Sequence, residues 1–109
     1  MSQTHIFADI PKQLPEELFT TLFKNPHVHI ERIVSQGHAS AEGFWYDQPW
    51  DEWVLVLQGQ AQLAYEDQAD SLLNAGDYVL ITAHTKHRVA WTAAEEVTVW
   101  LAVHSCSPD

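Results

Sequence analysis

From His27 onward, apolar residues recur in short runs with the spacing of strands. His27–Ser35 carries Val28, Ile30, Ile33 and Val34 and ends at Gln36-Gly37. Glu52–Leu57 and Ala61–Tyr65 flank Gln58-Gly59-Gln60, a pattern that predicts a hairpin with a short glycine-centred loop. Asn74–Asp77 reads as a turn into Tyr78–Ile81, and His87–Thr92 follows a polar connection. Val97–His104 sets Val97, Val99, Leu101 and Val103 on one face against Thr98, Trp100, Ala102 and His104 on the other. Short strands separated by frequent turns predict an all-β sandwich or barrel, with its core over about residues 28–104.

Upstream the period changes. Leu18, Phe19, Leu22 and Phe23 fall at helical spacing, and Pro15 suits a first helical turn. Glu16 and Glu17 suit the positive end of a helix dipole and Lys24 the negative end, before Asn25-Pro26 stops the chain. These signals predict one short helix over about residues 15–24, packed on the outside of the sheet. Several strands, Trp53–Leu57 above all, are apolar on both faces, whereas a sheet wetted on one side alternates. The pattern fits a closed barrel, a subunit interface, or both.

Composition narrows the partners. The 109 residues make one domain, and 46% apolar content with five tryptophans is enough for a packed core. Fifteen acids against five Lys and Arg give a formal charge of −10, which repels phosphate backbones and anionic lipid. Neither nucleic acid nor membrane is expected as a partner. The single cysteine, Cys106, allows neither an internal disulfide nor a thiolate cluster. No signal peptide is read at Met1–Ile10, and a cytoplasmic location is expected.

Polar and aromatic residues concentrate in two segments, Gly43–Gly59 and Gly76–Val89. Here the chain resembles the cupin superfamily, in particular its small single-domain members. The first cupin motif runs from a glycine through a His-x-His pair to a glutamate and, after six residues, a closing glycine. Glu52 and Gly59 match its end, while Tyr46 and Gln48, or Trp45 and Asp47, stand at the histidine positions. In the second motif Gly76 and His87 match. Thr82 and His84 replace the usual proline and glycine, and Trp91 replaces the closing asparagine. The resemblance spans about Val28 to Val103 and implies a double-stranded β-helix, or jelly-roll, barrel around a pocket. It also implies a homodimer.

Strand phase gives an independent view of the same residues. Counting back from Glu52 in steps of two reaches Gln48 and Tyr46, with Asp47 and Asp51 in the opposite phase, although Pro49 can reset the count. His87, Val89 and Trp91 share a face in the second segment, and Trp45, Trp50 and Trp91 are candidates to wall the pocket. The candidate metal site is therefore Tyr46, Gln48, Glu52 and His87, with Asp47 and His84 as substitutes. An oxygen-rich set with one imidazole suits divalent zinc, iron, manganese or nickel. Glu52 also reads as a surface acid and His87 as a solvent-side histidine, while Tyr46 and Gln48 read equally well as groups that satisfy each other. His27, His29, His38 and His104 are read as surface or locally satisfied residues.

Two functions stay open at this point. One is a cupin that holds a divalent metal and a small polar organic ligand and, as an enzyme, uses the metal to polarise a carbonyl or to activate water or dioxygen. The other is a metal-free binding or structural barrel. Fold alone does not choose between them.

Overall fold

The computed structural model describes residues 1–106. It is all-β, with strands β1 (Leu18–Lys24), β2 (Val28–Ser35), β3 (Asp51–Gln58), β4 (Gln60–Tyr65), β5 (Ser71–Asn74), β6 (Tyr78–Ile81), β7 (His87–Thr92) and β8 (Thr98–Ser105). A five-stranded sheet in the order β1-β2-β8-β3-β6 faces a three-stranded sheet in the order β5-β4-β7. All pairs are antiparallel. The long connection between β2 and β3 runs beside β7, where Ser40 N–H donates to the Val89 carbonyl and Tyr46 bridges His87. That segment closes the barrel on the three-stranded side.

The helix expected over residues 15–24 is not present; β1 occupies Leu18–Lys24 instead. Its residues pair with β2 from Leu18↔Val34 to Lys24↔His29, with a bulge between Thr21 and Phe23. Aromatic and β-branched residues, Phe19, Thr20, Thr21 and Phe23, favour the pleated conformation. The apolar stripe that imitates a helix arises because each face of this edge strand borders an apolar space. Phe19 faces the barrel interior, while Leu18 and Leu22 face a crevice shared with Ile6 and Ala8 of the N-terminal segment. Arg32 of β2 ties that segment down, its Nη1 donating to the carbonyls of Ile6 (3.1 Å) and Ala8 (2.6 Å).

Gln58-Gly59-Gln60 does not close a hairpin. β3 pairs with β6 and β8 while β4 pairs with β5 and β7, so the chain crosses from one sheet to the other at Gly59. Gly59 has φ of 90°, and a Cβ there would sit 2.4 Å from Thr98 Oγ1 and 2.6 Å from Thr98 Cα. Only glycine makes this crossing without displacing β8. The core lies between the sheets, built from Val54, Val56, Ala61, Leu63, Tyr65, Leu73, Ile81, Trp100 and Ala102. Burial of these side chains drives the two sheets together. At one end the apolar filling stops, and polar side chains take over the inward positions.

Candidate active site or metal centre

Inward alternation on β3 carries Val56 and Val54 of the core to Glu52, and on β8 it carries Trp100 and Ala102 to His104. In β2 the inward residues are Ile33, Glu31 and His29, and in β7 they are Val89 and His87. The result is a cavity of about 90 Å³, floored by Val54, Leu63, Ile81 and Trp100. Around its mouth stand Glu17, Glu31, Tyr46, Gln48, Glu52, His87 and His104. Tyr46, Gln48, Glu52 and His87 thus line one cavity. Glu52 and His87 are 8% and 5% exposed, deep enough for charges to interact strongly. Asp47 and His84 lie outside, paired with each other at 2.8 Å near the surface.

His87 sits at the start of β7, where its Nδ1–H donates to the Thr85 carbonyl at 2.8 Å. A carbonyl only accepts, so in the neutral ring the lone pair is on Nε2, which points at Glu52 Oε1 3.6 Å away. A histidine anchored by one nitrogen to a backbone carbonyl, with the other bare, has the form of a metal ligand. Burial works to lower the His87 pKa, but the Glu52 carboxylate and the Thr85 carbonyl together raise it above the ordinary value. The site therefore holds a proton on His87 readily, in the position a cation would compete for.

His104 is arranged in the opposite sense. The Trp50 indole N–H donates to its Nδ1 at 2.9 Å, so the neutral ring carries hydrogen on Nε2. That N–H donates to Glu31 Oε1 at 3.0 Å and lies 4.0 Å from Glu52 Oε2. The hydrogen bond to Glu31 raises the His104 pKa against the opposing effect of burial. A second proton, on Nδ1, would have to displace the Trp50 bond. Next to it, His29 Nε2 takes part in a 2.9 Å hydrogen bond with the Thr21 hydroxyl and is 4.0 Å from Glu31 Oε2. His29, Glu31 and His104 offer three donor atoms within 4.8 Å of one another, a candidate metal-binding group among the described residues.

Tyr46 stacks on His87 with ring centroids 5.5 Å apart. Burial raises its pKa, and the nearby carboxylates of Glu17, Glu52 and Glu31 push it further the same way. Its hydroxyl is therefore a neutral donor near neutral pH. Trp91 does not wall the cavity. A bulge opposite Gln62 and Leu63 shifts the β7 register between Val89 and Trp91, turning Trp91 outward and placing Thr92 inside. Trp45 lies near Arg88, 5.9 Å from ring centroid to guanidinium carbon. Of the tryptophans, Trp100 lines the cavity and Trp50 reaches it through His104.

Glu17, Glu31 and His104 are the site residues that pattern reading missed. His104 had a visible signal, since it shares a strand face with Thr98, Trp100 and Ala102, which are buried. Glu31 had a weaker one, because both faces of β2 carry apolar residues and hide which is inward. Glu17 falls within the helix expected over residues 15–24, a role that carries no sign of a pocket.

Two facing antiparallel sheets around a pocket of carboxylates and imidazoles define a small β-barrel with an acidic cavity. The cupin domain family matches residues 32–104, and the chain belongs to that family. A protein from Ralstonia eutropha JMP134 described as a candidate mannose-6-phosphate isomerase is 45% identical. Its structure superposes with a TM-score of 0.93, covering 98% of this chain and 100% of that one. A cupin superfamily protein from Desulfitobacterium hafniense DCB-2 shares the fold at 20% identity, with a TM-score of 0.74 over 90% of this chain and 84% of that one. A cupin with a double-stranded β-helix fold from Methanocaldococcus jannaschii does so at 16% identity, with a TM-score of 0.70 over 92% and 89% of the two chains. No curated protein matches the sequence.

Proposed function

We propose that the cavity binds a divalent transition metal through Glu52 and His87, with Gln48 and Tyr46 beside it, and presents that ion to a small polar organic molecule. The observation that carries this reading is His87, anchored through Nδ1 by the Thr85 carbonyl and facing the buried Glu52 carboxylate with Nε2 at 3.6 Å. Zinc, iron, manganese and nickel all accept such a donor set. A bound ion would polarise a carbonyl or hydroxyl oxygen of the ligand or lower the pKa of a water. The chain's own residues would orient that ligand: Tyr46 donates from its neutral hydroxyl, Gln48 offers an amide, and the Val54–Ile81 floor excludes water. Isomerisation of a sugar, the activity in the name of the Ralstonia protein, is one reaction such a site could serve.

A second placement of the ion, on His29, Glu31 and His104, is favoured by their closeness. Against it stands the hydrogen on His104 Nε2, which Trp50 enforces. Metal content of protein purified without a histidine tag, then reconstituted with each ion, separates the readings. The expected result is about one ion per chain, with affinity reduced at least ~100-fold in Glu52→Gln and His87→Ala and much less in His29→Ala. Loss of metal in His29→Ala and Glu31→Gln, with retention in the other two, moves the ion to the second placement. A wild type that takes up none of the four ions leaves a metal-free binding barrel.

We further propose a homodimer through the outer face of β8-β3-β6. Trp53, Leu55, Leu101, Val103, Tyr78 and Leu80 stand there on the face opposite Glu52 and Val54. Tyr78 and Leu80 are 66% and 56% exposed. A mostly apolar patch, with Asp51 at its end, on a chain of formal charge −10 is where two copies can approach with least repulsion.

A further inference from the structure

We infer that the pocket admits small uncharged or cationic molecules and rejects phosphate esters, including the sugar phosphate in the name of its Ralstonia relative. This rests on the cavity being a ligand site, as proposed above, and adds the class of ligand. Three carboxylates, Glu17, Glu31 and Glu52, line the cavity, and no Lys or Arg does. The destination of each cation in the chain is visible. Arg32 points to the other face of β2, where it holds the carbonyls of Ile6 and Ala8. Arg88 lies over Trp45 with its Nη1 toward the Ser40 carbonyl, and Lys86 lies 3.8 Å from Glu66. Lys12 and Lys24 are exposed, and neither lines the cavity.

Recognition of a phosphate ester draws on Arg or Lys forks, on protonated histidines or on backbone N–H groups at a helix N-terminus. The cavity lining holds no Arg or Lys, and its two histidines already face carboxylates, His87 toward Glu52 and His104 toward Glu31. The described residues contain no helix, and the lining is acidic at the mouth and apolar at the base. A divalent ion on Glu52 and His87 would not reverse the sign, because three carboxylates line the space that it and the ligand share. Carboxylates gathered around one enclosed space oppose the entry of a phosphate dianion. Size acts in the same direction, since about 90 Å³ is small against the roughly 300–1,000 Å³ of drug-sized sites. Hydroxyl and ammonium groups, by contrast, find acceptors in Glu31 and Glu17 and an aromatic ring in Phe19.

The test is a methyl-detected NMR titration of the purified protein, with and without zinc, reading Val54, Leu63, Ile81 and Val89. The probes are a panel of small polyols, amines and phosphate esters that includes mannose, mannosamine and mannose 6-phosphate. Polyols or amines are expected to shift these methyls, with each phosphate ester at least about tenfold weaker than its unphosphorylated counterpart. The gap should narrow in Glu17→Gln. A phosphate ester that binds the pocket as tightly as its parent overturns this inference and leaves the ligand-site reading standing. Methyl shifts from no class of probe overturn both.

Discussion

His87 and His104 stand on facing strands with similar burial, yet their hydrogen bonds give them opposite tautomers. Thr85 takes the Nδ1 proton of His87, and Trp50 gives a proton to the Nδ1 of His104. One ring therefore aims a lone pair at Glu52, and the other aims an N–H at Glu31. Both rings have pKa values raised in the folded protein, so the folded state binds more protons than the unfolded chain just above the ordinary histidine value of about 6.5. Their stabilising contribution is complete below about pH 6.5 and is lost as pH rises through the folded values. With a chelator present, the melting temperature should fall as pH is raised from about 6.5, and His87→Ala should flatten part of that slope. A wild-type melting temperature that climbs over this range contradicts the assignment. At this scale the sequence carried half of the site. Glu52 and His87 were legible because family spacing and strand phase agreed on them. Glu31 and His104 were passed over, the latter despite sharing a strand face with Trp100 and Ala102, because their hydrogen bond joins residues 73 apart.

Among the elements, β1 and the Gly59 crossing show how far local pattern reaches. An edge strand that borders the barrel interior on one face and the N-terminal segment on the other is apolar on both, and that pattern satisfies a helical period as well as a pleated one. The periodicity within β1 carries no sign that the N-terminal segment folds back beside it. Strand limits elsewhere were close, since β7 covers His87–Thr92 as read, but the alternation within it failed at the bulge before Trp91. Gly59 was legible as a turn but not as a change of sheet, because a short glycine loop looks the same in both cases. The crowding at Thr98 gives that difference a measurable consequence. Gly59→Ala combines a left-handed backbone with a clash against β8 and should cost about 3 kcal/mol in urea unfolding. A loss under about 1 kcal/mol would mean that β3 and β4 join by an ordinary loop free of β8. His84 shows the milder case: it takes φ of 62° where the cupin motif has glycine, in an exposed turn with room for a side chain.

Taken whole, the molecule divides its two sheet faces between two tasks. The inner face packs the core and then opens into the acidic pocket, and the outer face of β8-β3-β6 leaves a mostly apolar surface with Asp51 at its end. The all-β jelly roll was legible from strand spacing and motif order together. Leu80→Asp should convert the proposed dimer to monomer in analytical ultracentrifugation. In the wild type, added salt should favour the dimer by screening the −10 charge of each chain. A monomer at all concentrations, or a dimer indifferent to Leu80→Asp, removes that face as the interface. The central claim, that Glu52 and His87 converge on one cation, is tested most directly by anomalous scattering at the zinc edge from crystals of the reconstituted protein. The expected result is one peak per chain, roughly 2.0–2.2 Å from His87 Nε2 and a Glu52 oxygen. A peak bonded instead to His29 and His104, or no peak in the cavity, contradicts it.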